Sequence, residues 1–451
     1  MQVRNLVGTA AVIVLGLSTQ AFAQDTALIR PVGQQVPGEG QQTNPEPLAA
    51  PAAEWPDDAP GYLEQMGFQT SIRAGFWTHD RNLNGETATS VLGLRSRVAP
   101  RMGVIDAFAE GFVQVDAVDG AEGDLVEGWL RLTMGNLEIK AGRQIVVWGR
   151  ADRLNPTDNI SSRDYTLLVA NDDDQRRGGR IVQARLGLGL FTLDAFWLPE
   201  FRASRFPLDR NRPGVAFVAN DRVDNDNQFA LKLDHSGGGL DWSVSWFHGV
   251  DRTRDFKATG FNRPGVLVEV QESFPALDVL GADFAGVAGT FGYRAEVAFT
   301  NVRGQDSIYR KNSNIWAVVG LDTTLSSGWN LNLQYSFRRI FNYSDPRGLS
   351  NPIQRAVALQ SAAVSNQLDR TQNGVTFRVA RKWLQDTLDF ELSSIAYLET
   401  RDAAIRPKLT YAINDKVRIS AGGDIFVGPS RSYFGRVRSL TGGYLQLTVG
   451  Y

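Results

Sequence analysis

The sequence predicts an all-β protein: a transmembrane antiparallel up-and-down β-barrel of about 18 strands, or about 16 on the lower count, with long extracellular loops. Three observations predict it. From Met66 onward the chain runs in short segments that alternate apolar and polar residues, the period of a strand with two unlike faces. Tight turns and long polar connections follow one another between those segments. After Ala23 no stretch is apolar enough and long enough for a membrane helix. A chain that crosses lipid without helices must close its sheet, because closure then satisfies every backbone group.

Met1–Ala23 has the form of a secretory signal peptide. Arg4 supplies the positive start, and Ala21-Phe22-Ala23 is a small-x-small cleavage site. Between them Val7–Leu17 is an apolar run shorter than the roughly 20 residues a span needs. No Cys follows the cleavage site, which excludes a lipoprotein anchor. The count of Cys is 0, so no disulfide or thiolate metal site can form. Gln24–Gly61 is Pro-, Gln- and Ala-rich without apolar periodicity and reads as a disordered periplasmic leader. The barrel takes residues 62–451. Lys+Arg 47 against Asp+Glu 49 gives a formal net charge of −2, which leaves no basic footprint for nucleic acid.

The strand segments repeat one code. Ile105, Ala107, Ala109, Val113, Val115 and Ala117 face one way, with Asp106, Glu110, Gln114 and Asp116 opposite. Trp329, Leu331, Leu333, Tyr335 and Phe337 alternate with Asn330, Asn332, Gln334, Ser336 and Arg338. Leu240, Trp242, Val244 and Trp246 alternate with Asp241, Ser243 and Ser245. A soluble two-sheet sandwich shares this alternation. The aromatics near the segment ends and the length of the segments favour a lipid-facing exterior and a wet interior. Short turns fall at Met134–Asn136, Gly187–Gly189, Ser236–Gly239, Gly289–Gly292, Ser326–Gly328, Leu384–Asp386 and Asn414–Asp415. Long connections alternate with them, and Val266–Phe274, although strand-like, is assigned to one of these loops to keep the strand number even.

Charges of inward parity are expected to group. Asp106, Glu110, Asp116, Glu127 and Glu138 form an acidic wall early in the chain. Arg338, Arg378, Arg406, Lys408 and Arg418 form a basic wall late in it, continued after closure by Arg73, Arg95 and Arg97. Such walls set a transverse field across a pore; chance grouping in any wet interior is the plainer reading. Arg143 falls on the lipid parity of its strand, so either Gly142 marks a bulge or the register slips there.

The densest charge lies in the loop after Trp148. Arg150, Asp152, Arg153, Asp158, Arg163, Asp164, Arg176 and Arg177 are expected to bend into the lumen and narrow it. Asp172-Asp173-Asp174 offers clustered oxygens for a cation, but a solvated loop tip, or pairing with Arg176 and Arg177, is the favoured reading. His79, His235 and His248 lack metal-site spacing. Ser245 with His248 is the conceivable nucleophile–base pair, and a polar residue at the barrel rim is the plainer account of His248. No catalytic, metal or cofactor site is expected. Pro352–Leu368 has helical character, and either caps the pore or lies exposed.

Two resemblances add to this. The run GRQIVVWG…LNPTD…RDY within Ala141–Arg180, with FWLPEFRASRFP at Phe196–Pro207, resembles an uncharacterised family of proteobacterial porin-like outer-membrane barrels. That resemblance implies uptake or handling of hydrophobic and aromatic compounds. In general porins the third loop folds into the lumen. The final strand, with Leu445, Leu447, Val449 and Tyr451 on one face, resembles the closing strand of Gram-negative outer-membrane barrels. It implies Sec-type export to the outer membrane. The partners implied are the barrel-assembly machinery, outer-membrane lipid, lipopolysaccharide and small solutes.

The functional expectation is a channel for passive uptake or efflux of small solutes. A non-transport scaffold or adhesin acting through its loops is the competing class, and a barrel enzyme the third. A charged lumen favours the channel, an apolar packed lumen the scaffold, and a Ser–His pair on the wall the enzyme.

Overall fold

The computed structural model describes residues 66–78, 88–117, 120–208, 210, 213–218, 227–260, 267–304 and 307–450. Met1–Ala23, the Gln24–Gly61 leader, His79 and Tyr451 lie outside the described residues.

Eighteen strands form one closed antiparallel barrel. The first six are β1 (Gln69–Trp77), β2 (Thr89–Val98), β3 (Ile105–Asp116), β4 (Gly120–Met134), β5 (Leu137–Gln144) and β6 (Gly179–Leu188). The next six are β7 (Phe191–Leu198), β8 (Gln228–His235), β9 (Leu240–Val250), β10 (Ala276–Ala288), β11 (Phe291–Val302) and β12 (Asn314–Thr324). The last six are β13 (Asn330–Ile340), β14 (Thr371–Trp383), β15 (Leu388–Tyr397), β16 (Asp402–Ala412), β17 (Val417–Val427) and β18 (Gly442–Gly450). Each pairs with the next in sequence, and β18 closes the sheet on β1 with Thr448 opposite Arg73. The lower count of 16 is thereby set aside.

The turns follow from glycine where the backbone demands it. Gly135, Gly189 and Gly289 open two-residue connections with φ of 62°, 69° and 63°, which glycine adopts without a Cβ penalty. All seven expected short turns lie at one end of the barrel. The long connections lie at the other end, and they carry their own structure. Val215–Val218, Asp255–Gly260 and Val268–Ser273 form a separate three-stranded sheet, so the strand at Val268–Ser273 belongs to a loop and not to the barrel, as expected. Helix α1 (Pro352–Val364) packs on that sheet; Val357 and Val364 meet Phe206, Phe256, Val268 and Val270. Asn351 caps it by accepting from the Ile353 and Gln354 amides, with Pro352 at the first helical position. The helix is therefore a packed cap, not an exposed segment.

The register fixes which side chains face in. Arg73, Arg95, Glu110, Glu127, Glu138, Arg378, Arg406 and Arg418 share the inward parity through consecutive ladders. Leu445 and Leu447 face out, and Leu445 is 55% exposed. At the turn end the outer face carries aromatic clusters. Trp329 meets Trp383 edge-on at 5.5 Å, and Arg381 lies over both rings at 5.4 and 5.2 Å. His235 stacks on Trp242 at 5.4 Å. Rings with a polar edge suit the border between lipid and water.

The register passes Gly142 without a break, so no bulge lies there. The irregularity is one strand away, on β4, where Val126 is the extra residue opposite Glu110 and Gly111. Its carbonyl accepts from Gly178 at 3.1 Å. Arg143 keeps its outward parity and bends to Asp124 at 3.4 Å and the Leu125 carbonyl at 3.1 Å. Its charge is met at the strand end instead of in lipid.

Candidate functional site

The loop end of the barrel is filled from within. After β5 the chain passes through Val146 and Trp148 and turns inward, where Gly149 has a φ of 96°. A Cβ at Gly149 would sit 2.4 Å from the Glu296 carboxylate of β11, so only glycine allows this approach. Glu296 then holds the loop. Its Oε2 accepts from the Arg150 and Ala151 amides, both at 3.2 Å, and its Oε1 from the Thr157 amide and hydroxyl. A carboxylate 2% exposed thus meets four donors.

Ion pairs carry the loop across the lumen. Arg150 joins Asp283 of β10 and, at 3.3 Å, Asp234 of β8. Arg153, at φ 68°, joins Glu391 of β15. Asp172 pairs with Arg406 of β16. Asp174 takes Arg73 at 2.7 Å and Arg95 at 2.6 Å. Burial by itself raises the Asp174 carboxyl; Arg95 and Arg73 outweigh it and hold it below the usual carboxylate range. Asp173 goes to Arg176 at 3.4 Å. The three aspartates are thus engaged, two of them by wall arginines, where Arg176 and Arg177 were the expected partners. Among the described residues no cluster of acids and histidines has the form of a metal site.

The remaining loop residues pair locally. Asp158 accepts from Arg176 at 2.9 Å. Asp164 accepts from Arg205 at 3.1 Å and from the Thr166 amide at 3.1 Å. Arg177 reaches Asp124 at 3.4 Å and the Ala203 carbonyl at 3.2 Å. Asp152 is buried, and burial pushes its carboxyl up. Arg163 is buried between the loop and its surroundings, with the Ser204 hydroxyl accepting from its amide.

The inward charges of the wall are interleaved as well as grouped. Asp106 is held by Arg131 at 2.6 Å, Glu138 lies 3.9 Å from the same arginine, and Glu110 binds Arg95. Glu127 accepts from the Ile145 amide at 2.9 Å, and Asp116 is buried facing in. On the opposite side Arg378 binds Glu391 at 2.8 Å and Arg406 binds Asp424. Arg97 donates to Gln69 at 3.0 Å. Lys408 stands opposite Glu391 and Gly422, and Arg418 opposite Ala412 and Thr448. Arg338 lies over the Trp316 ring at 3.9 Å and donates to the Asn366 carbonyl. Acidic neighbours on the basic side, and basic ones on the acidic side, weaken a simple two-wall field.

Asp234, Asp283, Glu296 and Glu391 are among the wall carboxylates that the expected acidic wall did not include. Their signal was the inward parity of their strands. Ser245 faces the lumen and His248 faces out, where it bonds Asp278 at 2.6 Å, so these two do not form a nucleophile–base pair.

Two apolar clusters also occupy the mouth. Ala151, Leu154, Ala363, Leu368, Phe434 and Val437 from loops pack on the wall residues Val318, Ile395, Ala404 and Phe426. Val146, Trp148 and Ile160 pack on Phe196, Phe247, Leu277 and Ala298. Towards the turns the lumen is ionic, with Arg185 on Asp194 at 2.9 Å and Lys232 on Asp234 at 2.8 Å.

A closed 18-strand antiparallel barrel with its mouth filled by inturned loops is a porin-like fold. No family model matches the chain, and no curated protein matches it either. Solved structures of similar fold come from Pseudomonas aeruginosa. OccK2 (OpdF), whose structure holds glucuronate, has 12% identity and a TM-score of 0.51, covering 85% of this chain and 96% of that one. OccK11 (OpdR) has 11% identity and a TM-score of 0.50, covering 85% and 95%. OpdQ has 12% identity and a TM-score of 0.50, covering 85% and 97%. At these identities the likeness is one of fold, so the resemblance carried by the Ala141–Arg180 motif rests on that motif.

Proposed function

We propose that this chain is an outer-membrane channel for passive movement of small solutes, with a lumen narrowed by the loop at 150–177. The observation that supports it most is the set of ion pairs from Arg150, Arg153, Asp172 and Asp174 to six strands of the inner wall. A loop standing clear of the barrel has no use for partners on the inner wall. Ion pairs partly shielded from water also keep more of their strength than exposed ones. The fold shared with the Pseudomonas barrels supports the same reading, as does the ionic lower lumen. Lipid would cover the outer face with its exposed leucines. The C-terminal strand would be the segment that assembly machinery reads.

Single-channel recording in planar bilayers tests the proposal. Deletion of Asp158–Asp174 is expected to raise conductance and lower ion selectivity. Replacing Arg338, Arg378 and Arg406 with Ala should shift selectivity towards cations. Unchanged conductance in the deletion would place the loop outside the conducting path.

A second reading, a non-transport scaffold or adhesin, is favoured by one observation: apolar loop side chains fill the mouth as a packed core. Silence of both wild type and loop deletion, across voltages and salts, would support it.

A further inference from the structure

One row of the outer face climbs the barrel obliquely through Val98, Ala109, Gly128, Arg143 and Arg180, each directly opposite the next across strands β2 to β6. Val98 ends β2 beside a short turn, and Arg180 stands at the start of β6, just after the long loop. The row therefore runs from the turn end of the wall to the loop end. Small residues hollow its lower part. Ala107, Ala109, Gly128, Leu130 and Ala141 line an outer groove of about 430 Å³ there.

Positive charge gathers at the upper end. Arg143 and Arg180 are cross-strand partners on the same face, and like charges so placed are destabilising. Arg177 and Arg202 come in beside them from the loops. Among the described residues two carboxylates pair with these four arginines. Asp124 takes Arg143 and Arg177, both at 3.4 Å, and Arg202 as well. Glu200 lies 3.7 Å from Arg180, whose side chain is 68% exposed. Burial, then Arg202 and Arg205, pull Arg177 below the ordinary arginine range. One carboxylate shared by three guanidiniums leaves positive charge over.

The neighbours set the height of this charge. Two residues below Arg180, Val182 stands opposite Trp197 of β7, and Trp197 opposite Phe229 of β8. Both rings are on the outer face and well exposed, and the indole donates to Asn227 at 3.3 Å. Such rings mark the border between lipid and water. Two residues of tilted strand put Arg180 about 5 Å further out, at the depth of lipid headgroups.

We propose that this row binds one phosphate-bearing lipid of the outer leaflet, its phosphate between Arg143 and Arg180 and an acyl chain along the groove of Ala107, Ala109, Gly128 and Ala141. Phosphate oxygens match the guanidinium fork and supply the negative charge that the cluster lacks. An uncharged amphiphile would leave the two opposed arginines as they are, and a free phosphate would leave the groove unfilled. The site rests on the outer-membrane part of the reading above and not on conduction.

The test is native mass spectrometry of the purified full chain in detergent. The probes are bis-phosphorylated lipid A, the same lipid stripped of its phosphates, and inorganic phosphate. The phosphorylated lipid should bind at least tenfold tighter than either of the others. Arg143→Gln combined with Arg180→Gln should weaken it at least tenfold. Ala141→Phe, which fills the groove and keeps the charge, should weaken it at least threefold. Arg381→Gln, in the aromatic cluster at the turn end, should change nothing. Gel migration reports the folded barrel, and potassium chloride conductance of the same preparation is recorded in parallel. Equal binding of the stripped lipid overturns the phosphate contact, and full affinity in Ala141→Phe overturns the groove. Unchanged affinity in a folded chain lacking both arginines overturns the site, as does an equal loss in Arg381→Gln, which would make the attraction one of total charge. A dimer that excludes the lipid gives the row to a second copy of this chain and overturns the lipid assignment. A chain that conducts yet retains no lipid overturns the site alone. Retention of the phosphorylated lipid by a chain silent in bilayers supports the site and removes the channel reading.

Discussion

Glu296 and Thr157 are joined twice, through the amide at 2.7 Å and the hydroxyl at 2.8 Å, both donating to the same carboxylate oxygen. One wall residue thereby fixes both ends of the inward turn, since its other oxygen holds Arg150 and Ala151.

Glu296→Gln should therefore loosen the loop without opening the barrel. The amide group can accept at one oxygen only, so one pair of donors faces another donor. Each unsatisfied buried donor costs about 1–3 kcal/mol. Limited proteolysis should cut within 150–177 faster, while barrel migration on gels stays as in wild type. Equal cutting rates would show that the ion pairs alone hold the loop.

The Asp174 latch has a defined pH sense. Its carboxyl is held below the ordinary range when docked and returns to it when the loop is free. The latch is thus at full strength above the ordinary value, about 3.9, and is lost as pH falls through the docked value. Loop fluctuations in single-channel traces should increase only in strong acid. In Asp174→Asn they should be present already at neutral pH.

Asp255, in the loop sheet, behaves in the opposite sense. Burial pushes its carboxyl up to about 7, with Lys311 offsetting only part. A raised acid favours the packed form at low pH and opposes it as pH climbs through the window from 3.8 to about 7. Hydrogen exchange in Asp255–Gly260, corrected for intrinsic rate, should be slower at pH 5 than at pH 8. Asp255→Asn should flatten that difference.

Leu445 lies on the outer face of the barrel near the middle of β18. Leu445→Arg should destabilise the folded barrel by about 2–4 kcal/mol, measured by urea unfolding in lipid vesicles. Gln446→Arg, one residue along and facing in, should cost far less. Equal losses would mean that the register of the closing strand is inverted.

The fold was legible because strand parity is local. Leu445, Leu447 and Val449 against Tyr444, Gln446 and Thr448 declare a two-faced strand without any partner. Hairpin turns declare themselves likewise, through glycines at 135, 189 and 289. The site was legible in outline only. The charge density of 150–177 was plain, but the partners of Arg150 and Arg153 are Asp283 and Glu391, 133 and 238 residues away. Such pairings depend on how the barrel brings distant strands round, and no local pattern encodes them. The apolar plug was hidden for a related reason. Leu154, Leu368 and Phe434 come from three separate loops, and nothing in any one of them shows that the three meet. Arg143 faces outward as its parity says; nothing local shows that Asp124 and the Leu125 carbonyl, on the strand that carries the Val126 bulge, meet its charge.

The salt bridges of Asp172 and Asp174 stand on either side of the junction where β18 meets β1. Arg406 lies two strands before that junction, on β16, and Arg73 and Arg95 lie just after it. Two residues apart in sequence, these aspartates act as a clasp over the last zip of the cylinder. The clasp cannot fasten until the first and final strands have met, because its anchors lie on both sides of their junction. Mid-chain residues thus end up monitoring whether the two ends of the sheet have found each other, and a wall that parts at that line would release the clasp with it.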